Sequence, residues 1–175
     1  MDEQELILGC IAARPKAQKA LFDIYAPKLF AVCLRYMKDH VRAQDTLQDA
    51  FIKIYNNINN YKSEGAFEGW LKKITVNTCL DQLRKDKKLL SDMAIDDVSH
   101  ILSTNSYSAE KLMAEDLLKL VQSLPDGYRT VFNLFAIEGY SHQEIARQLG
   151  ISESTSKTQY LRARAFLKDR IENIE

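Results

Sequence analysis

Glycine and proline are scarce, six and three among 175 residues. So few breakers point away from turn-rich β folds and low-complexity disorder, and toward a compact chain of helices. No run approaches the roughly eighteen consecutive apolar residues of a membrane helix. The acidic start, Met1 to Glu5, lacks the basic and then apolar profile of a secretory signal. A cytoplasmic protein without direct membrane insertion is expected. Cysteine occurs three times, at Cys10, Cys33 and Cys79, an odd and widely spaced set that suits neither a disulfide framework nor a metal site. Cys33 and Cys79 stand among apolar neighbours and read as buried thiols. The three histidines, His40, His100 and His142, are scattered. No nucleophile–base pair, phosphate loop or metal-ligand cluster accompanies them, so no catalytic residue, cofactor or metal is expected.

Excess charge is also missing, with 24 Lys and Arg against 24 Asp and Glu. A protein gripping nucleic acid by bulk electrostatics is thereby excluded, but the balance hides a pattern. Residues 70–90 hold six Lys/Arg against two acids, residues 153–170 hold five against two, and residues 91–109 hold three acids and no Lys or Arg. Two basic patches around an acidic spacer imply two DNA contacts, or contacts that only a larger complex makes productive.

Helical patterns succeed one another over residues 4–13, 16–37, 41–59 and 66–87, with Pro27 expected to kink or split the second. Residues 86–107 lack a sustained period and read as a linker with a short helix at 98–102. Beyond it Ala109, Leu112, Met113, Leu117, Leu120, Val121 and Leu124 form a stripe. Pro125 then opens a helix bearing Tyr128, Val131, Phe132 and Phe135, which Gly139 ends. No strand pattern competes. The fold expected is all-α: two small helical domains, 1–90 and 108–175, joined by a flexible acidic linker at 91–107, the second domain a helix-turn-helix.

That last expectation rests on residues 141–167. Ser141 and Glu144 have the spacing of a capping box, Ala146 is small enough for a close crossing, Gly150 supplies the turn, and Ser152 caps the next helix. At 100° per residue, Ser156, Tyr160, Ala163, Leu167, Ile171 and Ile174 share one face of that helix. Thr158, Leu161, Arg162, Ala165 and Lys168 point away, flanked by Thr155, Lys157 and Gln159. An inward stripe behind a basic, hydroxyl-bearing face suits a helix in the major groove.

In the first half, Leu47, Ala50, Phe51, Ile54, Tyr55 and Ile58 make a core stripe, while Asp45, Gln48, Asp49 and Ile52 cluster opposite. That cluster is a poor DNA face. It reads equally as a protein-docking face or as solvated charge with one stray apolar residue. A polar, Asn-rich loop follows, then a helix with Lys72, Lys73, Asn77, Arg84, Lys85, Lys87 and Lys88. Aromatic and amide groups beside a cationic helix suit single-stranded DNA. Trp70 and Phe67 read as core, and Tyr61, isolated among polar residues, as the exposed ring.

The order AQDTLQDAFIKIYNNI, FEGWLKKITVNTCLDQLRK, LPDGYRTVFNLFAIEGYSHQEIARQLGISESTSKTQYLRARAFL resembles the extracytoplasmic-function (group IV) sigma factors of the sigma-70 family, over about residues 21–167. The resemblance implies an alternative sigma factor whose partners are core RNA polymerase, promoter DNA and an anti-sigma factor. It implies that Asp45, Gln48, Asp49 and Ile52 dock on the polymerase clamp. It further implies that Tyr61, Lys62, Ser63 and Glu64 receive a flipped-out −10 base, and that Lys73 and Asn77 contact the same strand. Thr155, Lys157, Thr158, Gln159, Leu161 and Arg162 would then read the duplex −35 element, and the linker would thread toward the active-site cleft. Many relatives have Val at the place of Ser156 and Arg at that of Gln159. A glutamine in the groove would favour an adenine edge. Two rivals remain: a stand-alone helix-turn-helix regulator with an N-terminal dimerisation or sensor domain, which predicts dimers and palindromic sites, and a non-DNA adaptor.

Overall fold

The computed structural model describes residues 2–86 and 114–172. The expected linker at 91–107, its short helix, Ala109, Leu112, Met113 and Ile174 lie outside the described residues. Every described regular element is helical, and the chain divides into two compact units, Met1–Gln82 and Leu83–Glu175.

Helices α1 (Glu3–Ile11), α2 (Pro15–Tyr36), α3 (His40–Asn57) and α4 (Phe67–Lys85) begin in the first unit. Asp2 caps α1, its Oδ1 accepting from the Glu5 amide at 2.7 Å while the Asp2 amide donates to Glu5 Oε2 at 3.1 Å. Pro15 stands in the first turn of α2, where its missing N–H costs nothing, and Asp39 caps α3 through the Arg42 amide at 2.8 Å. Helix α2 runs unbroken through Pro27, so of the kink or split expected there the split does not occur. The carbonyl that Pro27 leaves without a donor belongs to Asp23, one turn earlier, and both residues are exposed, where solvent can take the place of the lost bond.

The core of this unit is formed by Leu21, Leu29, Val32, Cys33 and Tyr36 of α2, by Leu47, Ala50, Phe51 and Ile54 of α3, by Ile58 in the 3-10 turn that follows, and by Phe67, Leu71, Val76, Cys79 and Leu80 of α4. The expected α3 stripe is therefore inward. Tyr55 is half-buried with its hydroxyl donating to Gln18 O at 2.9 Å. Burial first, then nearby Cys10 and Asp23, push its pKa up to about 12. All three cysteines are free and buried. Helix α4 is tied to α2 by Lys28–Glu68 at 2.6 Å and to α3 by Lys53–Asp81 at 2.8 Å.

Gly9 sets the spacing of α1 on α2: a Cβ built there would stand 2.6 Å from Ala17 Cβ, inside contact distance. Gly9→Ala is expected to destabilise the first unit by about 1–3 kcal/mol, despite alanine's better helix propensity. Urea unfolding would detect this as a lower midpoint at unchanged slope.

The second unit contains α5 (Ala114–Ser123), α6 (Asp126–Phe132) continued by a π turn over Asn133–Ile137, α7 (His142–Leu149) and α8 (Glu153–Glu172). Leu124, Tyr128 and Ala163 form its core, with Phe132, Phe166 and Leu167 packed against them. Gly139, at φ 80°, follows the π turn. Leu117, placed by sequence in the α5 stripe, is exposed.

Candidate nucleic-acid and protein interfaces

The helix-turn-helix is built by local chemistry. The Ser141 hydroxyl accepts from the Glu144 amide at 3.2 Å, and Glu144 Oε2 accepts from both the amide and the hydroxyl of Ser141 at 2.8 Å. Those bonds hold the Glu144 carboxyl below the usual carboxylate range. Gly150 ends α7 in the left-handed region at φ 67°, and the Ile151 amide closes the turn on Ala146 O at 3.1 Å. Ser152 Oγ accepts from the Thr155 amide at 3.0 Å and starts α8.

Along α8, Lys157, Thr158, Leu161, Ala165 and Lys168 are exposed, and Thr155 and Arg162 half-exposed. Leu161 has 62% of its surface open, unusual for an apolar residue on a basic face. Lys157 pairs with Glu153 at 2.8 Å. Two expectations for α8 are corrected. Gln159 does not flank the groove face: it is 4% exposed, with Oε1 buried and without a hydrogen-bond partner among the described residues. The physical reason is angular, since residue 159 lies within about 60° of both Ser156 and Ala163 on the wheel. Its adenine-reading role falls with that placement. Ile171 is exposed, and Phe166, which the sequence reading left out, packs on the core instead.

In the first unit, Asp45 and Gln48 are exposed and Ile52 is 58% exposed. Asp49 is half-buried at the flank, its carboxylate accepting from Gln82 Nε2. Val41, 66% exposed and overlooked in the sequence, extends the row. Val41, Asp45, Gln48 and Ile52, at i, i+4, i+7 and i+11, fall within about 60° of helix surface.

The loop after α3 is folded on itself. Tyr61 is not isolated: its ring lies 5.0 Å from Phe67 and 5.5 Å from Trp70, and its hydroxyl donates to Gly65 O at 2.8 Å. The polar sequence around it concealed aromatic partners six and nine positions on. Lys62, Ser63 and Glu64 are exposed at the tip. Ser63 sits at φ 56° and Gly65 at φ 94°; the left-handed conformation of a serine costs about 1–2 kcal/mol, strain of the kind that gathers at binding sites. Lys73 and Asn77 are exposed one turn apart on α4. Phe67 is buried as expected, but Trp70 is only half-buried.

Two family models match this chain: sigma-70 region 2 over residues 21–89 and sigma-70 region 4 over residues 114–167. The chain is a sigma factor of the sigma-70 family. Its relatives place it in the extracytoplasmic-function group of alternative RNA polymerase sigma factors. SigW of Bacillus subtilis is 29% identical over 165 residues, 88% of each protein. The sigma-H factor of Pseudomonas aeruginosa is 29% identical over 164 residues, 85% of each. SigE of Mycolicibacterium smegmatis is 30% identical over 150 residues, which cover 83% of this chain and 58% of that protein. Among solved structures, the sigma factor RpoE of Bartonella quintana, crystallised with the anti-sigma factor NepR, shares the fold with a TM-score of 0.55 at 22% identity, covering 88% of this chain and 96% of that one. CnrH, in complex with the cytosolic domain of CnrY, gives 0.51 at 20% identity and 97% of each chain. Among the described residues no helix of this sigma factor is long and apolar enough to cross a membrane.

Proposed function

We propose that this sigma factor docks on core RNA polymerase through the row Val41, Asp45, Gln48 and Ile52 with Asp49 at its flank, and opens promoters without a catalytic step or cofactor of its own. The observation that supports it most is this row of exposed side chains, apolar at both ends with an acid and an amide between, on a helix whose opposite face is buried. Residues 1–90 serve docking and the −10 element, 91–107 link, and 108–175 serve the −35 element. The strained tip of Lys62, Ser63 and Glu64, closed by Tyr61, receives an extruded base of the −10 strand, and Lys73 and Asn77 hold that strand. Extrusion costs a few kcal/mol, which the pocket and the polymerase must offset. Thr155, Lys157, Thr158, Leu161 and Arg162 read the −35 duplex from the major groove. With zero net charge, binding by the free protein is weak and falls steeply with salt. Because RpoE of Bartonella quintana is held by an anti-sigma factor, an inhibitor of that kind is proposed here too, in the cytoplasm.

Run-off transcription with purified core polymerase tests the reading. Initiation should require both proteins, whereas tight binding of promoter duplex by the protein alone would instead establish the stand-alone regulator. In the same assay Arg162→Ala should lower transcription about fivefold or more from a promoter with an intact −35 element, and little from one without it. Equal loss at both promoters would remove Arg162 from the upstream contact.

A further inference from the structure

One polar contact inside a ring cluster joins α8 to its supporting helix. His142 opens α7, Ser156 lies in the first turn of α8, and His142 Nδ1 stands 2.9 Å from Ser156 Oγ. Ser156 is fully buried, so water cannot replace this partner. The imidazole lies flat on Phe135, centroids 4.2 Å apart and planes 10° apart. Tyr160 stands 4.5 Å from Phe135 and 5.9 Å from the imidazole. Three elements thus converge on one side chain: the π turn through Phe135, α7 through His142 itself, and α8 through Ser156 and Tyr160. Lys157 and Thr158 follow Ser156 directly, so whatever holds Ser156 sets the rotation of those exposed groups. Ring packing tolerates small rotations of a helix, whereas a hydrogen bond weakens quickly with angle.

We propose that His142 is a positioning residue for upstream promoter reading: its hydrogen bond to Ser156 sets the rotation of α8 that presents Lys157, Thr158 and Leu161. The inference rests on α8 being the −35 reader. The surroundings favour the neutral ring. Lys157 on α8 opposes a positive charge on the ring and Glu153 favours one, while Phe135 and Tyr160 bring no charge. The amino end of α7, where the ring sits, also disfavours a cation. Burial first and Lys157 second keep the imidazole below its ordinary pKa. The neutral ring is therefore the folded form. Its contribution is complete above the ordinary histidine value and is progressively lost as pH falls from there toward the lower folded value.

The test is a ratio. Open-complex formation by polymerase holoenzyme carrying the full chain is measured on a promoter with an intact −35 element and on one with that element scrambled. His142→Phe keeps a ring on Phe135 but removes the bond, and should lower the intact-to-scrambled ratio about fivefold while leaving the scrambled promoter unchanged. Ser156→Val leaves the imidazole nitrogen without a partner and should lower the ratio similarly. The double variant, with both polar groups gone, should recover part of it. Equal loss on both promoters with a lowered melting temperature would mean a folding role alone and overturns the proposal. A ratio within about twofold of wild type for His142→Phe overturns it too. A wild-type ratio of one removes the reading of α8 as −35 reader, and the proposal with it.

Discussion

Replacing Arg129 with alanine is expected to destabilise the second unit by about 3–5 kcal/mol, comparable to the whole stability of a small helical domain. Arg129 is 1% exposed. Its Nη1 donates to Leu124 O and its Nη2 to Asp126 Oδ1, each at 2.8 Å. Leu124 is itself a core residue. Truncation would leave that carbonyl with one bond fewer in an apolar setting, remove the cation from the Asp126 carboxylate and open a cavity where α6 meets the core. Arg129→Lys retains the charge but not the two-pronged geometry, and is expected to recover only part of the loss. The readout separates the units, because the single tryptophan, Trp70, belongs to the first. Far-ultraviolet circular dichroism should show an early partial loss of helix on heating, while tryptophan fluorescence keeps its wild-type transition. One coincident transition at the wild-type temperature would show that the Arg129 bonds add nothing net.

Arg129 also marks where sequence reading ends. Hydropathy places arginine outside, and only the i, i+3 pairing with Asp126 hinted otherwise. What could be read was what local chemistry decides: the Ser141–Glu144 capping box, the left-handed Gly150, the Ser152 cap and the inward α3 stripe each depend on residues within one or two turns. Gln159 was misplaced because residue type was allowed to outweigh angle. Its wheel position beside Ser156 and Ala163 already pointed inward. Tyr61 was misjudged because its partners Phe67 and Trp70 reach it only after the chain turns at Ser63 and Gly65. The split allowed for at Pro27 does not occur because the cost of a helical proline depends on whether the orphaned carbonyl lies toward solvent. The candidate docking row was legible in part: Val41 lies one turn before Asp45, in phase with it, but a single valine at the start of a helix carries no sign of whether it is buried or exposed.

Ile52→Asp is expected to weaken the affinity of the sigma factor for core polymerase about 30-fold or more, the effect of losing a hot-spot side chain of about 2 kcal/mol. Ile52 is 58% exposed between buried neighbours Phe51 and Ile54 on the opposite face, so the fold does not depend on it and the melting temperature should hold. Asp45→Lys is the useful contrast. Both side chains lie on the exposed row, but an exposed charge acts mainly through steering and association rate. Its effect should shrink as added salt shortens the screening length, whereas the Ile52 effect, arising from buried apolar area, should persist. Asp49 is the poorer probe, since its carboxylate also bonds Gln82 and a substitution there disturbs the α3–α4 contact. Titrating fluorescent core polymerase with each variant at low and high salt distinguishes the cases. If Ile52→Asp binds core polymerase as tightly as wild type, docking uses another face. If both variants lose affinity equally and the loss vanishes at high salt, the face acts by charge alone and Ile52 is only exposed.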